Sequence, residues 1–259
     1  MPDYLDMLAQ TAKETIQSGY YNITDATATS KLSLRKAILE AENAPVIAEI
    51  KPASPSAGII RKDMNVRSIT RGIEKGGAVG ISVLTEPKHF NGTLHLLAEA
   101  RKTSRLPILM KDIILSPLQL DAASKVGADA VLLIAALFER GYCDHGIQDM
   151  IARAHALGLE VLLETHTEAE FRSAVRTQAD LVGINNRDLA TLKVDLNTTK
   201  EILQHNRPEG KIVVSESGIK TPADVRFLRA CGAHAFLIGS AVMFAEDIEQ
   251  KVKEFVSAL

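Results

Sequence analysis

The chain has 259 residues, of which 46% are hydrophobic and 24% are charged, a composition that is typical of globular proteins and excludes disordered or fibrous ones. A formal net charge of −2 and only 4% aromatic residues argue against a surface for nucleic acid or an anionic membrane. No apolar run reaches the ~18 residues of a membrane span, and the N-terminal segment lacks the basic start and apolar block of a signal peptide. We therefore expect a cytoplasmic protein without nucleic-acid or membrane partners.

Two cysteines, Cys143 and Cys231, lie far apart in the sequence. No cluster of His and Cys has the short spacing of a zinc site, so we expect reduced thiols and no metal site. The sequence makes no prediction of the oligomeric state.

The first 44 residues precede the first predicted strand. Apolar residues at helical spacing predict two extra helices there, at residues 4–17 and 33–42, packed against one end of the protein. No linker or low-complexity stretch separates them from the following segments. We therefore expect residues 1–259 to form a single domain, with residues 1–44 as an N-terminal helical extension.

The rest of the chain alternates short apolar runs with segments of helical period. Nearly continuous apolar runs of about four or five residues are typical of parallel strands that are buried on both faces. The predicted strands are residues 46–50, 80–84, 107–110, 130–134, 160–163, 181–184, 212–214 and 235–238. The predicted helices are residues 66–75, 94–103, 117–125, 147–157, 168–176, 198–205, 222–230 and 241–256.

Local signals support these boundaries and the fold class. Glycines that fit a left-handed C-terminal cap follow several predicted helices, at Gly77, Gly127, Gly158 and Gly232. Thr221 is an N-cap residue followed by proline at the first helical position. Eight strand–helix pairs favour a closed (β/α)8 TIM barrel in the α/β class. An open doubly wound sheet would carry a glycine-rich dinucleotide loop after its first strand, and residues 51–58 do not form one.

Polar side chains stand at the ends of the predicted strands, where a barrel of this kind builds its active site. They are Glu49, Lys51, Ser82, Lys111, Glu164, Asn185, Arg187 and Glu216. Charged groups are rarely placed at such positions unless they pair or take part in function. Simple ion pairing of Glu49 with Lys51, or of Glu164 with Lys111, remains an alternative for each pair, but the whole set favours a catalytic site.

Small residues follow the last two strands, at Ser217–Gly218 and Gly239–Ser240. Their backbone N–H groups are able to approach an anion, and phosphate sites of barrels commonly lie in these two loops. The sequence therefore predicts a phosphate monoester ligand.

Several strand ends also carry longer motifs. Glu-x-Lys-x-x-Ser-Pro-Ser occupies residues 49–56 and Gly-Ile-Asn-x-Arg-Asp-Leu occupies residues 183–189. Further matching segments are residues 81–86, 90–92, 107–112, 163–166, 214–218 and 237–240. With these motifs the chain resembles the indole-3-glycerol-phosphate synthase family of tryptophan biosynthesis.

The resemblance implies a carboxy-lyase of aromatic amino-acid biosynthesis. Its substrate would be a phosphorylated anthranilate derivative, 1-(2-carboxyphenylamino)-1-deoxyribulose 5-phosphate. Ring closure with loss of carbon dioxide and water would give indole-3-glycerol phosphate, and no metal or organic cofactor is implied.

The family pattern also implies roles for individual residues. Lys111 would be the general acid on the substrate carbonyl and Glu164 the general base. Lys51, oriented and kept charged by Glu49, would neutralise negative charge on the substrate or share the acid role. Asn185 and Arg187 would hold the substrate carboxylate.

The remaining expected site residues position the lysine, bind the substrate or form apolar walls. Glu216 would position the lysine and hydroxyl groups, and Ser82 is counted among the substrate-binding residues. The expected phosphate or hydroxyl ligands are Ser54, Ser217, Gly218, Gly239 and Ser240. The expected apolar walls are Phe90 and the pair Leu132–Leu133, because Ile113 stands where many members of the family have Phe.

Two further expectations concern the surroundings of the site. The loop of residues 52–61 contains Pro, Ser and Gly, and we expect it to close over the site and exclude water. His166 lies two residues after Glu164, and we interpret it as a turn residue rather than a functional neighbour.

Three alternatives remain open. A barrel like phosphoribosylanthranilate isomerase would bind a related substrate. That isomerisation needs only one acid and one base, so the presence of two lysines, Lys51 and Lys111, argues against this alternative. A Schiff-base aldolase would form a covalent adduct on Lys111. A non-catalytic phosphate-binding barrel would bind ligand without turnover.

Overall fold

The computed structural model describes residues 3–24, 31–54, 58–61 and 64–259. Its main sheet is a closed barrel of eight parallel strands, in which β1 pairs with both β2 and β8. The strands are β1 (Val46–Ile50), β2 (Gly80–Leu84), β3 (Ile108–Lys111), β4 (Ala130–Ile134), β5 (Glu160–Thr165), β6 (Leu181–Asn185), β7 (Ile212–Glu216) and β8 (Ala235–Ile238). The predicted (β/α)8 TIM barrel is confirmed.

Helices precede and connect the barrel strands. They are α1 (Tyr4–Gln17), α2 (Leu34–Leu39), α3 (Val66–Lys75), α4 (Leu94–Thr103), α5 (Pro117–Val126), α6 (Ala135–Glu139), α7 (Ile147–Ala156), α8 (Glu168–Ala174), α9 (Asn197–His205), α10 (Pro222–Ala230), α11 (Ser240–Met243) and α12 (Ile248–Val256). A two-residue antiparallel pairing of Ala53–Ser54 with Gly58–Ile59 follows β1. The loop predicted to close over the site includes residues 55–57, which lie outside the described ranges.

The helix ends follow the local signals in the sequence. The four predicted C-cap glycines all have positive φ, between 71° and 106°. The side chain of Thr221 caps α10 by accepting a hydrogen bond from the Asp224 N–H, and proline occupies the first turn. None of the helices in the described ranges has the length and apolar character needed to cross a bilayer.

Two helical segments differ from the predictions. The single helix predicted for residues 241–256 is divided into α11 and α12, because Asp247 begins a new helix by accepting a hydrogen bond from the Gln250 N–H at 2.9 Å. Helix α6 was not predicted, since its apolar residues continue the apolar run of β4 without a break.

Alternation along the strands divides the apolar side chains between two cores. On β1, Val46, Ala48 and Ile50 belong to the outer core between the sheet and the helices. Ile47 points the other way and belongs to the core inside the barrel. Because both faces of each strand are covered, the strands are apolar along most of their length.

The two N-terminal helices lie at opposite ends of the barrel, so the expectation that they pack against one end is wrong. Ser33 and Arg35 donate hydrogen bonds to Glu160 at the start of β5, which places α2 at the N-terminal end of the strands. In α1, Thr11 contacts His89 in the segment after β2, at 3.1 Å, which places α1 at the C-terminal end. An amphipathic pattern predicts a buried face but not the surface that covers it.

Candidate active site

A cavity of about 920 Å³ opens at the C-terminal end of the barrel strands. The predicted site residues that line it are Glu49, Lys51, Ser54, Phe90, Lys111, Glu164, Asn185, Arg187, Glu216, Ser217, Gly218, Gly239 and Ser240. They come from β1, β3, β5, β6, β7 and β8 and from the adjoining loops. The structure therefore brings together residues that lie far apart in the sequence.

Among the predicted polar site residues, Ser82 does not line the cavity. It is fully buried in β2, in register with Glu49, and its hydroxyl has no hydrogen-bond partner within the described ranges. Leu84, two residues further along the same strand, lines the cavity instead. Ser82 therefore lies one layer too deep in the barrel to contact a ligand in the cavity.

Lys111 lies at the centre of the charged group. Its Nζ is 3.0 Å from Glu164 Oε2 and 3.0 Å from Glu216 Oε2. Both carboxylates are almost completely buried, whereas the lysine side chain is 17% exposed. One cation on β3 therefore joins two carboxylates on β5 and β7 across the interior of the barrel.

The buried charges shift one another's pKa values. Burial lowers the pKa of Lys111, but the nearby carboxylates outweigh it and hold this pKa above its ordinary value. Burial raises the pKa of Glu164, but the Lys111 ammonium and its other neighbours hold it well below its usual range. For Glu216, burial and the repulsion from Glu164 raise the pKa to about 7 although Lys111 is adjacent. Near pH 7, Lys111 is therefore cationic, Glu164 is ionised and Glu216 is partly protonated.

Two glycines leave room for these carboxylates. A Cβ atom on Gly183 of β6 would overlap Glu216 Oε1, and a Cβ atom on Gly239 would overlap Glu49 Oε1. Glu49 Oε1 in turn contacts Lys51 Nζ at 3.0 Å. Both positions therefore exclude a side chain because a charged neighbour occupies the space.

The end of β6 is a compact polar turn. The side-chain oxygen of Asn185 accepts a hydrogen bond from the Arg187 N–H at 3.0 Å. The Arg187 guanidinium donates to the carbonyl of Leu192 at 3.0 Å and lines the cavity. This turn directs an amide and a half-buried cation towards the ligand space.

The two loops predicted to bind phosphate, after β7 and β8, differ in backbone conformation. Ser217 and Gly218 have consecutive positive φ values of 67° and 84°. A Cβ atom on Gly218 would come within 2.5 Å of Val194, so glycine is required there for space as well as for conformation. Gly239–Ser240 begins α11, whose first N–H groups have no partner within the helix.

Apolar side chains also line the cavity. Phe90 and Leu132 are there as expected, but Leu133 is wrong as a wall because it belongs to the outer core. Tyr4 and Leu8 of α1 also line the cavity, and sequence reasoning missed them because α1 was not placed at this end. The Tyr4 hydroxyl is buried without a partner among the described residues, and burial raises its pKa to about 12.

Asp112, the residue after Lys111, is held in a buried network. Its carboxylate accepts hydrogen bonds from the hydroxyls of Tyr21 and Thr85 and from the Ile113 N–H. Burial raises its pKa to about 6 although these hydrogen bonds oppose the shift. The network fixes the backbone at the end of β3 and with it the position of Lys111.

His166 is a direct neighbour of Glu164, so its interpretation as a turn residue alone is wrong. Its Nε2 is 3.3 Å from Glu164 Oε1 and its Nδ1 is 3.5 Å from Glu170 Oε2. The spacing of two residues after Glu164 was the available signal, but it does not reveal Glu170, which comes from α8. Within the described ranges, no group of three or more His, Cys, Asp or Glu side chains has the arrangement of a metal site.

Comparison with known proteins identifies the family of the chain. The family model for indole-3-glycerol phosphate synthase matches residues 5–255. The chain belongs to the indole-3-glycerol phosphate synthase family. Its relatives include the indole-3-glycerol phosphate synthase of Methanocaldococcus jannaschii, which is 45% identical over 230 residues that cover 87% of this chain and 84% of the relative. The synthase of Desulforamulus reducens is 41% identical over 224 residues, 86% of this chain and 83% of the relative.

The fold is also similar to solved barrel structures outside this family. Thiamine phosphate pyrophosphorylase from Pyrococcus furiosus superposes with a TM-score of 0.61 at 20% identity, over 87% of this chain and 97% of that one. At this identity the similarity supports the barrel fold alone. The assignment of the chain to the synthase family therefore rests on the family model and on the relatives.

Proposed function

We propose that Lys111 and Glu164 supply the acid and the base for the indole-3-glycerol phosphate synthase reaction of this chain. The observation that carries the proposal is the Lys111 ammonium, which lies 3.0 Å from the Glu164 carboxylate inside the cavity. The substrate is a phosphorylated anthranilate derivative, 1-(2-carboxyphenylamino)-1-deoxyribulose 5-phosphate. Its ring carbon must attack a ketone before carbon dioxide and water leave.

The first step needs an acid at the ketone oxygen. When the ring carbon that bears the carboxylate attacks the ketone, the carbonyl oxygen becomes a hydroxyl and requires a proton. Lys111 carries that proton at neutral pH, because its carboxylate neighbours hold its pKa above the ordinary value. Loss of carbon dioxide then restores the aromatic ring.

The second step needs an acid and a base together. A second proton converts the new hydroxyl to water, and a base removes one proton from the anilino nitrogen or its methylene carbon as the indole double bond forms. Over the two steps the substrate takes up two protons and releases one. The net proton taken up balances the negative charge of the carboxylate, which leaves as neutral carbon dioxide. Glu164 is ionised and is placed to accept this proton. Glu216, with a pKa of about 7, is suited to returning a proton to Lys111.

The other residues of the cavity are proposed to orient the substrate. Arg187 and Asn185 would hold the substrate carboxylate, and Lys51, paired with Glu49, would balance negative charge. The aromatic ring would lie against Leu8, Ile113, Phe90 and Leu132. The phosphate would lie against Ser54 and the loops Ser217–Gly218 and Gly239–Ser240, as barrel phosphates commonly do.

The free thiols Cys143 and Cys231 support a cytoplasmic location within this proposal. Reducing compartments keep cysteines unpaired, whereas secreted proteins usually pair them. The proposed reaction draws on side chains of the chain itself and on no cofactor.

The test is the appearance of indole fluorescence when the purified protein is mixed with the carboxyphenylamino substrate. We expect turnover by the wild type and by Lys75→Ala, an exposed lysine control, and a loss of ~10²-fold or more for Lys111→Ala. Formation of the substituted deoxyribulose phosphate from its ribosyl isomer, without indole, would instead identify an isomerase. Trapping of a substrate adduct on Lys111 by borohydride would identify an aldolase, and binding without turnover would identify a non-catalytic barrel.

A further inference from the structure

The surroundings of Glu164 contain a second basic group besides Lys111. His166 contacts Glu164 but is not one of the residues that line the cavity. Its Nε2 is 3.3 Å from Glu164 Oε1, whereas Lys111 Nζ contacts the other carboxylate oxygen, Oε2. The two basic groups therefore approach different oxygens of one buried carboxylate.

His166 is held in place from its other side. Its backbone N–H donates to Glu170 Oε2 at 2.7 Å, and its Nδ1 is 3.5 Å from the same oxygen. The side chain is only 12% exposed, and both neighbouring carboxylates are at least as buried. A ring enclosed between two buried carboxylates is more favourable as a cation than as a neutral group.

We propose that His166 is a positioning residue whose imidazolium keeps Glu164 ionised and fixed in orientation while Lys111 is without its proton. The inference rests on the proposed function, in which Lys111 gives its proton to the substrate and becomes a neutral amine. At that moment Glu164 no longer has a cation beside its Oε2. His166 supplies a cation that the substrate does not reach, so the base stays ready for the later proton transfer.

The charged groups around His166 are consistent with this role. They are Glu164 on β5, Glu170 on α8, Asp188 in the loop after β6 and, through Glu164, Lys111 on β3. Burial lowers the pKa of His166, but Glu164 and Glu170 outweigh it and raise the pKa to about 9. His166 is therefore cationic over the neutral range.

The first experiment measures the protonation of His166 by NMR titration of its ring nitrogens, which requires no activity. The His166→Gln spectrum identifies the signal. We expect the ring to be protonated at pH 7, with a midpoint near 9, and we expect Glu164→Gln to lower that midpoint by about 1 unit or more. A neutral ring at pH 7, or a midpoint that Glu164→Gln leaves unchanged, would overturn the inference.

The second experiment measures kcat and KM for two variants. In His166→Gln the ring is replaced by a neutral hydrogen-bonding group, and we expect kcat to fall ~10-fold while KM changes less than about twofold, since His166 does not touch the cavity. His166→Lys keeps a cation beside Glu164 and should recover most of the loss. His155→Gln is the matched control, because His155 pairs with Asp180 at 2.9 Å on the outer helix α7.

The outcomes separate this inference from the proposed function. The role of His166 would be overturned by any of three results. His166→Gln would have the kcat of the wild type, or His166→Lys would lose as much kcat as His166→Gln, or the KM of His166→Gln would rise by the same factor as its kcat falls. If Glu164→Gln retains wild-type turnover, the proposed base is wrong. The NMR titration would still report whether the two side chains are coupled.

Discussion

A single methyl group on Gly183 should separate Glu216 from Lys111. Gly183 faces the inside of the barrel, and an added Cβ would overlap Glu216 Oε1 and lie 3.3 Å from its Cδ. Its next contact, with Glu164 Cα at 3.4 Å, is an ordinary one. Glu216 lines the cavity, so its carboxylate relieves the overlap by rotating towards that space, which moves it away from Lys111.

The size of the effect follows from that one overlap. Overpacking of a buried site costs about 1–3 kcal/mol of unfolding free energy, and we expect Gly183→Ala to fall in this range. We also expect kcat to fall about 10-fold, since Lys111 is then held by Glu164 alone. Urea unfolding gives the first quantity and indole fluorescence the second. Gly146→Ala is the control for a methyl group without overlap, because its new Cβ makes only an ordinary contact; since Gly146 is the N-cap of α7, we expect a cost below about 1 kcal/mol.

A double-mutant cycle isolates the cause. Glu216→Ala removes the atoms that the new methyl group would meet, so Gly183→Ala should cost little in that background. The coupling between the two positions should therefore be about 1–3 kcal/mol. Stability losses that add within about 0.5 kcal/mol would refute the reasoning, because the methyl group would then act on something other than Glu216.

Three further predictions concern binding, stability and pH. Arg187→Met should raise KM about 10-fold or more but leave binding of an analogue without the carboxylate nearly unchanged by calorimetry, and equal losses for both ligands would contradict the role of Arg187. Arg101→Met should cost about 3–5 kcal/mol in urea unfolding, because Asp129, 2.8 Å away and buried, loses its cation; a loss below about 1 kcal/mol would be contrary to this. Burial raises the pKa of folded Asp112 to about 6, above the ~3.9 of an unfolded aspartate. The unfolded state therefore binds fewer protons than the folded state between about pH 4 and 6, and stability falls as the pH rises through this window, by up to about 3 kcal/mol. Asp112→Asn should remove that fall. If the free energies of unfolding of the wild type and of Asp112→Asn change in the same way between about pH 4 and 6, the raised pKa is wrong.

The barrel was predictable because its physical requirements are local. Strands covered on both faces must be apolar, and helices between them must carry one apolar face, so both periods appear directly in the sequence. Strand ends were less predictable. Lys111, Asn185 and Glu216 belong to strands in the structure, whereas the predicted strands stopped earlier because polar residues resemble the start of a loop.

The candidate site was predictable where one strand end supplies one polar residue. It was not predictable where the contact depends on a distant element. Tyr4 and Leu8 line the cavity because α1 covers this end of the barrel, and that packing has no local signal. His166 lies between Glu164 and Glu170, the second of which comes from a helix.

Alternation along a strand explains a further error. Leu132 and Leu133 are adjacent in β4, so their side chains must point to opposite faces, and only Leu132 lines the cavity. The identity of the strand was clear, but its register relative to the barrel interior was not.

The most direct test of the central claim is the single-turnover rate of indole formation in Lys111→Gln and Glu164→Gln, measured beside the affinity of each variant for a reduced, unreactive substrate analogue. The Gln side chain is one bond shorter than that of Lys; its amide offers N–H donors to the neighbouring carboxylates but has no acidic proton to give. The account predicts analogue affinities within about threefold of the wild type and rates of indole formation lower by ~10²-fold or more. Rates within about threefold of the wild type in either variant would contradict the assignment of Lys111 as the acid or Glu164 as the base.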